Sequence, residues 1–171
     1  MTRAIGAVLL VAGTTSWGVL GAMKLRNKCR SLAAILWSLG ALESEICDRL
    51  TPMPELITRL ARECEPPARA FYANVAKRLD MLGNIEFSAL WRRALGETPE
   101  LLLNEGEAAV INGLSLVLGR YDAEEQRGAI AYARRRFEDF QRRAETARDT
   151  DSRLRAFLGV AAGLFAALIL I

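Results

Sequence analysis

A chain of 171 residues that is 51% hydrophobic, 25% charged and free of histidine has room for one compact domain with apolar segments to spare. The missing histidine excludes His-dependent triads, histidine metal clusters and imidazole acid–base chemistry. Between residues 24 and 155 there are 22 Lys+Arg and 20 Asp+Glu, too even a balance for the one-signed field of a nucleic-acid-binding protein.

Residues 4–23 carry no charge. About twenty residues rising 1.5 Å each cover a bilayer core, so residues 1–23 are predicted to form an N-terminal transmembrane helix. A cleaved signal peptide is the rival reading, since Arg3 precedes the apolar run, but the run continues through Trp17 to Met23 without a clear small-x-small exit. Lys24, Arg26, Lys28 and Arg30 come directly afterwards, and Arg148, Arg153 and Arg155 precede a second apolar run, 156–171. That flanking charge places residues 24–155 in the cytoplasm by the positive-inside rule and both termini on the other side. The run 156–171 is short for a span, and Arg155 snorkelling with a modest thinning of the bilayer would complete a C-terminal transmembrane helix; a buried core helix is its alternative.

The segment 24–155 reads as one all-α domain, a bundle of about six helices, because apolar residues recur at helical spacing and strand-like alternation is absent. The first helix continues from the span with Leu32, Ile35, Leu36, Leu39, Leu42, Ile46 and Leu50 on one face and stops at Thr51-Pro52, where Thr51 is placed to cap the next helix. The second carries Leu56, Ile57, Leu60 and Cys64 and ends at Pro66-Pro67, closing a helical hairpin. A third is predicted over 67–82, broken by Gly83-Asn84, and a fourth over 85–95 with Leu90, Trp91 and Ala94 along its stripe. Asn104 with Glu107 has the spacing of a capping box for a fifth helix, closed by Gly119, and Asp122 with Glu125 repeats that spacing for a sixth. In the sixth, Ile130, Ala133, Phe137, Phe140, Ala144 and Ala147 form a heptad-like seam expected to pack on the first helix.

Glu43 stands out. At about 100° per residue it falls close to the centre of the first helix's apolar stripe, where a carboxylate must be paired or face a partner, whereas Glu45 is expected to point to solvent. An arginine of the last helix is the expected partner within the fold. No catalytic, cofactor or metal constellation is found: the carboxylate pairs fit helix caps and surfaces, and Cys29, Cys47 and Cys64 are too widely spaced for a zinc site and read as buried thiols. In the spans, Gly18 with Ala22, and Gly159, Gly163 and Ala167, place small residues every fourth position, suited to close helix contact within the chain or with another protein.

Several local patterns coincide over nearly the whole length: Gly6-Ala7-Val8 with Thr14-Thr15 in the first span, Leu42-Glu43-Ser44-Glu45-Ile46, Thr51-Pro52-Met53-Pro54, Trp91 with Ala94-Leu95, and Leu118-Gly119-Arg120-Tyr121-Asp122 with Gln126. On these the chain resembles the stage III sporulation protein AB family of endospore-forming bacteria. The resemblance implies a non-enzymatic membrane component of the transenvelope complex between mother cell and forespore. It also implies a helical domain similar to those of the inner-membrane platform proteins of type II secretion and type IV pilus machines. The partners so implied are the membrane, other stage III proteins and a cytoplasmic secretion-type ATPase, with no nucleic acid and self-association left open. Glu43, Glu45, Thr51, Pro52 and Pro54 are the candidate partner-binding residues. A pore-lining subunit, or a general membrane-anchored interaction protein, is the alternative, and charge-free spans argue against the pore.

Overall fold

The computed structural model describes the backbone of residues 2–119 and 122–170 and the side chains of residues 21–46, 49–119, 122–151 and 154. Among the described residues it has six α-helices and no strand: α1 (Thr2–Glu43), α2 (Met53–Glu63), α3 (Ala68–Ala76), α4 (Phe87–Gly96), α5 (Glu105–Val117) and α6 (Ala123–Leu170). The chain divides into two compact units, Met1–Asn27 with Arg143–Ile171, and Lys28–Arg142. The expected spans, with Gly18, Gly159, Gly163 and Ala167, fall in the first unit on side chains outside the described residues; Ala22 is exposed. Among the described residues no helix is long and apolar enough to cross a membrane.

In the Lys28–Arg142 unit successive helices pack on one another, α2 on α3, α3 on α4 and α4 on α5. The cause is amphipathic spacing: Leu56, Ile57 and Leu60 of α2, Phe71 and Val75 of α3 and Leu90 and Ala94 of α4 are all buried. Leu32, Ile35, Leu39 and Leu42 of α1 join them, as do Ile130, Ala133 and Phe137 of α6. The α6 seam fades as its sequence indicates, with Phe140 and Ala144 half-buried and Ala147 exposed.

At the centre sits Trp91, fully buried, edge-on to Phe71 with ring centroids 4.8 Å apart and to Tyr72 at 5.9 Å. Tyr72 is buried too, and its hydroxyl donates to Ser38 Oγ, which donates to Ile35 O. A buried polar chain is tolerated when each member has a partner.

The predicted caps form. Asn104 Oδ1 accepts from Glu107 N at 2.9 Å while Glu107 Oε2 accepts from Asn104 N at 2.8 Å, and Asp122 Oδ1 accepts from Glu125 N. Gly119 closes α5 with a φ of +76°, a conformation L side chains rarely adopt. The third helix is shorter than its apolar pattern predicts. It ends at Ala76 and gives way to a 3₁₀ turn, Leu79–Met81, before Gly83 takes a φ of +103°. Leu79 is only half-buried, so nothing rewards a further helical turn there.

Burial has a pH signature. The Cys64 thiol, buried between α2 and the turn that follows, is pushed up to about 12 by desolvation, and Tyr72 moves upward from the same cause. Both groups therefore hold their protons in the folded chain at a pH where the unfolded chain releases them. Stability is expected to fall as pH rises from about 9 towards 12, seen as a lower urea midpoint at pH 10.5 than at pH 8, and Cys64→Ala is expected to reduce that fall.

Candidate partner-binding surface

The α1–α2 connection contains the candidate residues, and its form follows from one departure from α-helical geometry. After Glu43 the backbone widens into a π-helical turn, Ser44–Asp48, in which Arg49 N reaches back five residues to Ser44 O at 3.3 Å. The extra residue rotates everything beyond it relative to an unbroken helix. For that reason Glu45 does not point to solvent as even 100° steps require; it is 8% exposed.

Glu45 is the hub of the connection. Its Oε1 accepts from Arg49 Nη1 and lies 2.8 Å from Arg59 Nη1, and its Oε2 accepts from Thr51 Oγ1 at 2.7 Å. Its backbone carbonyl accepts from Thr51 N at 2.9 Å. The Thr51 hydroxyl first, then the two guanidiniums, hold the Glu45 carboxyl below its ordinary range, while Glu45 and then Glu63 raise Arg59. This lowered carboxyl stabilises the fold above the unfolded pKa, and its contribution is lost as pH falls from about 4.5 through the folded value.

Two expectations are corrected here. Thr51 does not cap α2: its hydroxyl goes to Glu45, and Pro52 occupies the N-cap position with no side-chain cap. Leu50 is not on the buried face either. It is 73% exposed and held at a φ of +55°, because the π-helical turn and the two hydrogen bonds that Thr51 donates to Glu45 swing the chain over at this residue.

Glu43 meets the last helix. Its Oε2 accepts from Arg134 Nη1 of α6, with both side chains partly exposed. Pro52 and Pro54 are exposed and Thr51 is half-buried, so Glu45 and Thr51 act from inside to fix what the turn 49–54 shows outside: Arg49, Leu50 and two prolines. Arg59, 42% exposed, stands beside them. Among the described residues no group of three His, Cys, Asp or Glu could hold a metal ion.

Two features lie outside the sequence-based expectations. Trp37 is 51% exposed beside a shallow groove between α1 and α6 lined by Ala33, Leu36, Gly40 and Arg134. Lys28 reaches the start of α5, where its ammonium donates to Glu107 Oε2 and to Leu102 O. The first signal was present, since residues 31–42 of α1 contain no charge on any face.

A sequence model of the family described as stage III sporulation protein AB matches residues 3–171. The chain belongs to that family. It is 26% identical over 171 residues to stage III sporulation protein AB of Bacillus subtilis (strain 168), covering 99% of each chain. A solved structure of stage III sporulation protein AB superimposes with a TM-score of 0.64 at 22% identity, covering 72% of this chain and 97% of the other, which shows that the helical fold is shared. These relatives bear the name of a sporulation protein and not of an enzyme.

Proposed function

We propose that this chain is a non-enzymatic scaffold of the transenvelope complex that joins mother cell and forespore, anchored in the mother-cell membrane by its two terminal apolar runs. Its helical domain faces the cytoplasm and docks a secretion-type ATPase and other stage III proteins. Family membership over residues 3–171 carries the reading. The charge-free runs 4–23 and 156–171, each flanked by basic residues on the side of the middle segment, support the anchoring. The turn 49–54, held from within by Glu45 and displaying Arg49, Leu50, Pro52 and Pro54, is the docking surface. A rigid turn loses little freedom on binding, which favours an interface over a mobile loop.

Three measurements test this. The protein is expected to stay with membranes through a carbonate wash, and a reporter fused after Arg30 is expected to remain inside the cell. Glu45→Ala releases Arg49, Thr51 and Arg59 together and is expected to cut both ATPase co-purification and spore yield at least tenfold, whereas Glu43→Gln keeps a hydrogen bond to Arg134 and leaves the fold intact. Normal ATPase co-purification with Glu45→Ala would remove the turn from the interface.

A further inference from the structure

At one end of the Lys28–Arg142 unit α2, α4 and α6 begin and α5 ends, and two adjoining hollows of about 390 and 250 Å³ lie among them. Met53 and Gly119 line both. Leu82, Ile85, Phe87 and Leu118 line the first together with the polar Asn84, Glu86, Ser88 and Ser115, and Ile46 and Leu50 line the second with Thr51 and Gln126. Gly119 keeps the passage between them low: a Cβ there would sit 3.6 Å from Met53 Cγ, on a backbone already at a φ of +76°.

Large apolar side chains stand in water at this end. Leu50 is 73% exposed, Met81 46% and Ile85 40%. Leu50 also has a left-handed backbone, which costs a residue with a Cβ about 1 kcal/mol or more, so the fold bears strain at a leucine that adds nothing to its core. Strain combined with an exposed hydrophobe marks a contact made with something else.

The charge says what that something carries. Segments 49–55, 80–88 and 115–126 hold six acids, Glu55, Asp80, Glu86, Asp122, Glu124 and Glu125, against two bases, Arg49 and Arg120, on a chain whose net charge is +3. An acidic rim repels the anionic headgroups of a membrane and attracts lysine and arginine. A largely apolar trough with a predominantly acidic rim suits a basic helix that anchors residues at i, i+3 or i+4, and i+7.

We infer that this groove takes one basic amphipathic helix of a partner protein, its apolar stripe on Leu50, Met53, Leu82, Ile85 and Phe87 and its flanking lysines or arginines on the acidic rim. This rests on the reading of the chain as a docking subunit and adds the chemistry of the docked segment.

The test uses the full chain in membranes of sporulating cells, with photoreactive benzoylphenylalanine replacing Ile85 or, separately, Leu50, and sequencing of the cross-linked peptide. The expected adduct is a segment of another protein with helical apolar spacing and at least two flanking lysines or arginines. Its yield should fall at least fivefold in Asp80→Lys/Glu124→Lys with an unchanged melting temperature, and by less in Asp80→Asn/Glu124→Gln. Adducts with lipid, with a second copy of this chain or with an acidic or extended segment, an absence of adduct, or indifference to charge reversal would each overturn the inference. If ATPase co-purification persists in any of those cases, docking by this protein stands and only the helix-in-groove mode fails.

Discussion

Trp91→Ala is expected to lower the unfolding free energy by about 3–5 kcal/mol, the largest loss from any single truncation in this fold. The indole is fully buried and touches rings on two helices, Phe71 at 4.8 Å and Tyr72 at 5.9 Å on α3 and Phe87 at 5.4 Å on its own helix. Those neighbours belong to a helical framework that cannot close over the space left behind, so a cavity term adds to the lost transfer free energy. Trp91→Phe keeps an aromatic edge in the cluster and removes an indole N–H that is buried without a partner among the described residues. Its cost should be less than half as large, because losing an unpaired donor offsets part of the lost volume. Urea unfolding of the purified chain followed by near-ultraviolet circular dichroism measures both. Equal losses for the two variants would show that the ring contacts contribute nothing.

Glu107→Ala should cost about 3 kcal/mol, through two mechanisms that coincide at one carboxylate. Glu107 is 3% exposed, accepts from Asn104 N to complete the cap of α5 and pairs with the ammonium of Lys28 on α1. Removing it leaves the Lys28 ammonium donating to the Leu102 carbonyl without its carboxylate and strips α5 of half its capping box. The Lys28→Met/Glu107→Leu double variant should recover a large part of the pair's cost but not the cap, since replacing both ions by apolar groups is close to neutral. A double-mutant cycle on Lys28 and Glu107 separates the two contributions. A coupling energy near zero would assign the whole effect to the cap.

Much of this fold is written in short-range pattern. The capping box at Asn104, the cap at Asp122, the proline stops near residues 52 and 66, and the buried part of the α6 seam from Ile130 to Phe137 depend on residues a few positions apart and formed where their spacing placed them, while Ala147 at the far end of the seam is exposed. The ion pair of Glu43 was legible for the same reason, since a carboxylate on an apolar stripe requires a cation and α6 supplies Arg134. What failed was everything just past Glu43. Even helical steps run Leu50 into the core, leave Glu45 in water and free Thr51 to cap α2, and one π-helical turn reverses all three. No residue type in Ser44–Asp48 announces such a turn; it is selected by the three side-chain bonds that converge on Glu45, from Arg49, Thr51 and, across to α2, Arg59. Lys28 belongs by sequence to a basic flank, and its partner Glu107 lies 79 positions away, beyond the reach of any periodicity.

A helix with one residue more than its ladder requires can be shortened without being cut. Deleting a single residue within 44–48 would let α-helical bonding run straight on, which local energetics favours, and yet it would turn the carboxylate at 45 away from Arg59 and draw Leu50 back by a quarter turn. Helix content would rise while the proposed docking face dissolved, so a shorter variant of this chain should be better ordered by spectroscopy and inert in the cell.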